Sequence, residues 1–360
     1  MAGIRIGVYL HFPWCRKLCP YCDFAVETGE PPHEAYLDAI LVELARRAET
    51  VPGELVSIYL GGGTPSLWRP DAIARAIGAI VATYGQTPSE VTIEANPTDC
   101  TPENLAAWRT AGITRVSIGV QSTDPEALVQ LGRDHRFGDG RAAVERTERA
   151  GFATSADFIF GTPNARDVPI ELSPDHLSVY ELTIEDRTAF GQRVRDGRLV
   201  PLDEDTLAAR YIAIHDALVA GGYEHYEISS YARPGKRAVH NSLYWQGAPF
   251  LGLGVGAASL ELLPDGSAVR ATNPRRSLTY LADPGAPAER VTIGADEMAA
   301  DRAWLGMRTS DGVTVASLPS AITDWLVAEA LAERRGDRIC PTLRGFLMAD
   351  RIAARIVEAW

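Results

Sequence analysis

Six short apolar segments alternate with amphipathic helical stretches over the first half of the chain: Gly7 to Phe12, Val56 to Leu60, Val91 to Ala95, Arg115 to Val120, Thr154 to Phe160 and His176 to Leu182. Between the first two, Leu37, Ile40, Leu41, Leu44 and Ala48 recur at the spacing of one helix face, which predicts a helix over His33 to Thr50. Pro70-Asp71 and Pro102-Glu103 stand where helices start, and Gly85 and Gly112 where they stop. This rhythm leaves few folds open. Strands joined by crossover helices run parallel, with the helices covering one face of the sheet. The expected fold class is therefore α/β, a partial (β/α)6 TIM-like barrel. Residues 1–190 are read as the barrel and 191–285, with a helix from Asp203 to Gly222, as a region completing it. Residues 286–360 are read as a small, mostly helical C-terminal domain with a strand at Arg338 to Cys340, linked through the stretch Asp283 to Pro287.

One connection breaks the rhythm. Only NARDVPIELS separates Pro163 from Pro174. That is too short for a typical helix of about 11 to 12 residues and its two joints. The fifth crossover is read as truncated, which leaves sheet surface there to be covered in another way.

The chemically distinctive residues cluster at one end of the expected sheet. A cysteine loop follows the first strand, GGGTPS the second, EANP the third, GVQS the fourth and DFIFGTP the fifth. Carboxyl ends of parallel strands carry the chemistry in βα barrels. In HFPWCRKLCPYCDF, residues 11 to 24, Cys15, Cys19 and Cys22 can converge on one centre. Zinc wants four ligands, and His11 or His33 would have to supply the fourth. An iron–sulfur cluster has four corners, so three thiolates leave one iron open. The remaining cysteines, Cys100 and Cys340, read as small buried hydrophobes. The formal net charge of −12 argues against nucleic acid as a partner, because phosphate binding needs a basic stripe. No apolar run is long enough to span a membrane, and MAGIRIGVYLHF enters a strand with no leader before it, so the expected location is the cytoplasm.

C-x3-C-x2-C after a first strand, with Tyr21 before the third cysteine, resembles the signature of the radical S-adenosylmethionine superfamily. The motifs YLHFPWC, IYLGGGTPSL, EANP, RVSIGVQS, LGRDH, DFIFGTP and HNSLYW run in the order of one family within it. That family holds oxygen-independent coproporphyrinogen III oxidases and HemW-type haem chaperones, and the resemblance covers nearly the whole chain. It implies a 4Fe-4S iron–sulfur cluster on Cys15, Cys19 and Cys22, with S-adenosyl-L-methionine on the open iron. It further implies contacts to that molecule, or to a second copy of it, from Tyr9, Tyr21, Gly62, Gly63, Thr64, Glu94, Gln121, Arg133, Asp157 and Thr183.

Two departures point to the chaperone branch. The oxidase has a further cysteine two positions after the third thiolate, where this chain has Phe24, and an N-terminal extension, where this chain has eight residues before Tyr9. HNSLYW matches a motif of the chaperones. The branch implies bound haem, with His240 as candidate axial ligand and Tyr244 and Trp245 as walls. It implies delivery to an acceptor protein such as a respiratory haem enzyme, membrane-associated or not, and an electron donor such as flavodoxin or ferredoxin. No residue is assigned to catalysis, and whether the protein is an enzyme stays open. The alternatives are coproporphyrinogen III oxidase and a zinc-bound structural or interaction protein.

Overall fold

In a computed structural model, the six strands of the N-terminal half lie side by side in chain order. They are β1 (Arg5–Phe12), β2 (Glu54–Gly62), β3 (Glu90–Ala95), β4 (Arg115–Gln121), β5 (Ala153–Phe160) and β6 (His176–Glu181). Every neighbouring pair is parallel. The structure describes residues 3–136, 138–163, 165 and 172–360. Most of the short crossover between Pro163 and Pro174 lies outside the described residues.

Side chains alternate between the two faces of these strands. Ile6, Val8, Leu10, Ile58, Leu60, Ile93, Val116, Ile118, Ala156 and Leu177 form an apolar face that belongs to the main core. Helices close it off. In α1 (His33–Arg47), Tyr36, Leu37, Ile40 and Leu44 are buried, and Ala48–Thr50 tightens into a 3-10 turn. In α2 (Pro70–Tyr84), proline opens the helix and Gly85 closes it at φ 66°, a left-handed position that suits glycine. Each fully buried Leu or Ile in these helices contributes about 1.5–3 kcal/mol.

The opposite face is polar. In register across it lie Tyr9, Tyr59, Thr92 and Arg115, then Glu94, Ser117, Ser155 and His176, with Asp157 beside Ser178. At its lower end Arg115 and Glu90 form a buried ion pair at 2.8 Å. Glu90 also accepts the backbone N–H groups of Val239 and His240 at 3.0 and 3.1 Å, at the start of the helix Val239–Trp245. A carboxylate at a helix N-terminus satisfies orphan N–H donors and complements the dipole. The helix thereby plugs the bottom of the polar interior.

The sheet grows at both edges. Beyond β6, β7 (Glu224–Glu227) and β8 (Ser230–Ala232) add antiparallel strands in the order β6-β8-β7. Beyond β1, β9 (Phe250–Gly254) adds a parallel strand. The antiparallel strands β10 (Ala258–Leu262), β11 (Ala268–Thr272) and β12 (Glu289–Ile293) complete twelve strands. The sheet thus continues past the division expected at residue 286, because β12 pairs along the whole of β11. A separate apolar cluster that includes Met307, Leu326, Ile339, Ile352 and Ile356 holds the C-terminal helices around a small three-stranded sheet. Cys100 and Cys340 are both buried.

Candidate cluster and cofactor site

The chain leaves β1 at Phe12 and forms a loop that is tied down from several elements. Trp14–Cys15 pairs with Glu27–Thr28, and the Cys22 N–H bonds the Cys19 carbonyl at 3.1 Å. The glycine turn after β2 is stitched to the root of the loop. The Gly63 N–H donates to the Phe12 carbonyl at 2.8 Å and the Thr64 N–H to the Trp14 carbonyl at 2.9 Å. Farther out, the Phe190 N–H reaches the Pro20 carbonyl, Arg16 pairs with Asp99 at 2.6 Å, and Arg187 grips Asp23.

This places Cys15, Cys19 and Cys22, each half-buried, on the wall of a cavity of about 490 Å³. The same cavity is lined by Tyr21, Gly62, Gly63, Thr64, Glu94, Gln121, Arg133, Asp157 and Thr183. Burial pushes the Cys15 thiol up to about 11 and raises Cys22 as well. A metal inverts that preference by binding the thiolate and displacing the proton. Arg133 supports the change, with Nη1 lying 3.4 Å from the Cys19 sulfur. Among the described residues no three His, Cys, Asp or Glu side chains converge as ligands of one metal ion. Three thiols on the wall of one cavity of this size leave room for a larger group, in which each iron takes one thiolate.

Two of the carboxylates on the same lining are Glu94 and Asp157. Burial, then the charge of Asp157, lifts Glu94 to about 7, against the Tyr59 hydroxyl at 2.8 Å and the Gly62 N–H at 3.2 Å. Burial lifts Asp157 to about 6, although the Ser117 hydroxyl donates to it at 2.9 Å. A cation beside these two acids would restore both charges. Without a cation, the folded chain keeps a proton on Glu94 that the unfolded chain loses above about 4.5, so stability falls as pH rises from about 4.5 to 7. Glu94→Gln is expected to remove about 2 kcal/mol of that fall, less than the full shift implies because the cavity admits water. Urea midpoints of ligand-free parent and variant at pH 5 and pH 8 test this. An equal fall in both proteins would show that Glu94 is not the group responsible.

Gln121 ends β4 at φ 65°, a strained setting for a residue other than glycine, and it borders the cavity. Arg133 is also bonded to Asn96 at 2.6 Å and to the Gly119 carbonyl. A side chain on Gly119 would run into both Gln121 and Arg133.

Two further expected residues are not on the lining of this cavity. Tyr9 has its hydroxyl 3.0 Å from His11 Nδ1 and its ring stacked on Tyr59, which does line it. His240 is only 1% exposed. Its Nδ1 meets Ser57 Oγ and its Nε2 the Tyr244 hydroxyl, both at 2.8 Å, and burial pushes it down to about 3. Binding iron would require one of these hydrogen bonds to open. His11 is likewise engaged on both nitrogens, with Nε2 against the Ala25 carbonyl at 2.9 Å. Tyr59, Asn96 and Ser117 line the cavity and were not foreseen. Strand alternation from Glu94 and Asp157 would have pointed to Tyr59 and Ser117.

A model of the radical SAM superfamily matches residues 9–172. The chain is 35% identical over 379 residues to the haem chaperone HemW of Mycobacterium tuberculosis, covering 99% of this chain and 96% of that one. It is 36% identical over 289 residues to the haem chaperone HemW of Escherichia coli, covering 77% and 75%. Its fold is similar to that of E. coli coproporphyrinogen III oxidase (HemN), a radical SAM enzyme, with a TM-score of 0.80, 20% identity, and coverage of 99% and 91%.

Proposed function

The chain belongs to the HemW haem-chaperone family of the radical S-adenosylmethionine superfamily, and on that premise we propose that it binds haem and passes it to an acceptor protein. The observation that carries this reading is the meeting of three half-buried thiols and an acid pair in one cavity at the strand ends, in a chain matching a HemW protein over 96% of its length.

In this reading Cys15, Cys19 and Cys22 hold a 4Fe-4S cluster, which supplies an open iron and an electron. Glu94 and Asp157 would offer their carboxylates to the positive groups of S-adenosyl-L-methionine, which carries a sulfonium and an ammonium. Arg133 and Gln121 are placed for its carboxylate and polar atoms, and the Gly62–Thr64 turn, Tyr21 and Thr183 border it. Haem binding does not route through His240, whose ring nitrogens are already occupied. The electron donor would be of the flavodoxin or ferredoxin class. No described helix is long and apolar enough to cross a membrane.

Haem titration into the anaerobically reconstituted protein, followed by the Soret band, tests the reading. Saturable binding, then transfer to an apo haem protein, is expected. Absence of binding refutes the chaperone role. His240→Ala is expected to bind haem within about threefold of the parent, since a ligand role would cost far more than the 1.4 kcal/mol of a tenfold change. The fold shared with the oxidase sustains one rival. Anaerobic turnover of coproporphyrinogen III to the divinyl product would put that enzyme in place of the chaperone.

A further inference from the structure

The segment LGRDH delivers a cation to the cysteine loop. The helix Pro125–Gln130 is closed by Gly132 at φ 66°, and the Arg133 N–H turns back to the Leu128 carbonyl at 3.0 Å. Gly132 lies so close to the loop that a Cβ there would stand 2.8 Å from Pro20 Cδ. The helix end therefore presses on the chain between Cys19 and Tyr21. The next side chain, Arg133, is thereby brought to the thiols.

Its guanidinium is fixed without being neutralised. Nη2 donates to Asn96 Oδ1 at 2.6 Å and to the Gly119 carbonyl at 3.3 Å, while Nη1 donates to the Cys19 sulfur at 3.4 Å. Asn96 and Gly119 offer neutral oxygens, and among the described residues no carboxylate forms an ion pair with Arg133. Other arginines around the cysteine loop are paired with carboxylates, Arg16 with Asp99 and Arg187 with Asp23. A half-buried cation held by neutral groups keeps its charge for its remaining neighbour. Here that neighbour is a cysteine sulfur.

The three sulfurs are thus treated unequally. Cys15 meets the Thr64 hydroxyl and Cys22 the Phe24 N–H, both neutral donors. Cys19 meets the Tyr21 hydroxyl and, in addition, the guanidinium. Hydrogen bonds and charge at the sulfurs set the potential of an iron–sulfur cluster. A charged donor acts more strongly than a neutral one, and it stabilises the form with more negative charge, which is the reduced form.

Resting on the cluster reading above, we propose that Arg133 raises the reduction potential of the cluster through a charge-assisted hydrogen bond to the Cys19 sulfur. In the step that this favours, an electron donor of the flavodoxin or ferredoxin class loses one electron and the cluster gains it, with no bond made or broken.

Redox titration of the reconstituted parent, Arg133→Gln, Arg133→Lys and Lys17→Gln, followed by the paramagnetic signal of the reduced cluster, tests this. S-adenosyl-L-methionine is left out, which separates this role of Arg133 from any contact to that molecule. Arg133→Gln is expected to lower the equilibrium constant for reduction about tenfold, which is about 59 mV for a one-electron couple. Arg133→Lys keeps the charge but loses the planar fork, and is expected to lower it about threefold. Lys17 is an exposed cation two positions before Cys19 on the same cavity wall, and Lys17→Gln should stay within about twofold because water screens its charge. If the parent assembles no cluster, the cluster reading falls and this inference with it. If the parent is loaded and Arg133→Gln keeps its potential, the assignment to Arg133 alone is overturned. It is also overturned if Lys17→Gln moves the potential as far as Arg133→Gln, since any nearby charge would then do. Should Arg133→Gln fail to load, Arg133→Lys decides, and a parental potential in it overturns the guanidinium hydrogen bond.

Discussion

Replacing Cys15, Cys19 and Cys22 together by alanine is expected to reduce iron and sulfide from about four of each per chain to background after anaerobic reconstitution, with loss of the brown charge-transfer absorption. The three thiols are the cysteines of the cavity, and the nearby His11 is bound on both ring nitrogens, so among the described residues no further thiol and no free imidazole lines it. Cys100 and Cys340 are buried elsewhere and cannot replace them. The fold should survive, since the loop is held by backbone hydrogen bonds and by the Arg16–Asp99 and Arg187–Asp23 pairs, none of which uses a thiol. Circular dichroism of the variant should match the parent. If full iron and sulfide persisted in the variant, the cluster would have to sit elsewhere.

Gly62→Ala should be the most damaging single substitution at the site. Gly62 adopts φ 107°, which side-chain-bearing residues rarely take, and a Cβ there would lie 2.5 Å from the His11 ring. That ring cannot retreat, because its nitrogens are bonded to Tyr9 and to the Ala25 carbonyl inside the cysteine loop. Backbone strain and overpacking together are expected to cost about 3–5 kcal/mol. The same displacement would pull Gly63 and Thr64 from Phe12 and Trp14 and loosen the loop that carries the thiols. Gly85→Ala is the control. It has a similar sign of φ, at 66°, but open space around it, and should cost about 1 kcal/mol. Urea unfolding of both variants measures the difference, and equal midpoints would mean that the His11 contact does not constrain the turn.

The glycine turn shows how far local sequence reaches. GGGT between a strand and a helix is legible as a turn near the cysteine loop. That Gly62 must be glycine because of a histidine fifty-one positions earlier depends on the pairing of β1 with β2. Glu90 and Arg115 went unnoticed for the same reason. Each reads as a charged strand terminus, and only the parallel register and the arrival of the helix at Val239 make them a buried pair that caps it. His240 and Trp245 were read together as one motif, and helix geometry sent one into the sheet and the other into an arginine-lined cleft.

The six parallel strands, the helices between them, their stops and the thiol spacing were determined by the sequence alone, because period, capping and ligand spacing are properties of residues close together in the chain. The tertiary structure alone decided which polar strand residues share the cavity, where the helix Val239–Trp245 docks, and which arginines share a cleft with Trp245. Those outcomes depend on contacts between segments far apart in the chain, such as those of His240 with Glu90, 150 positions away, and with Ser57, 183 positions away. No local pattern encodes the register that brings them together.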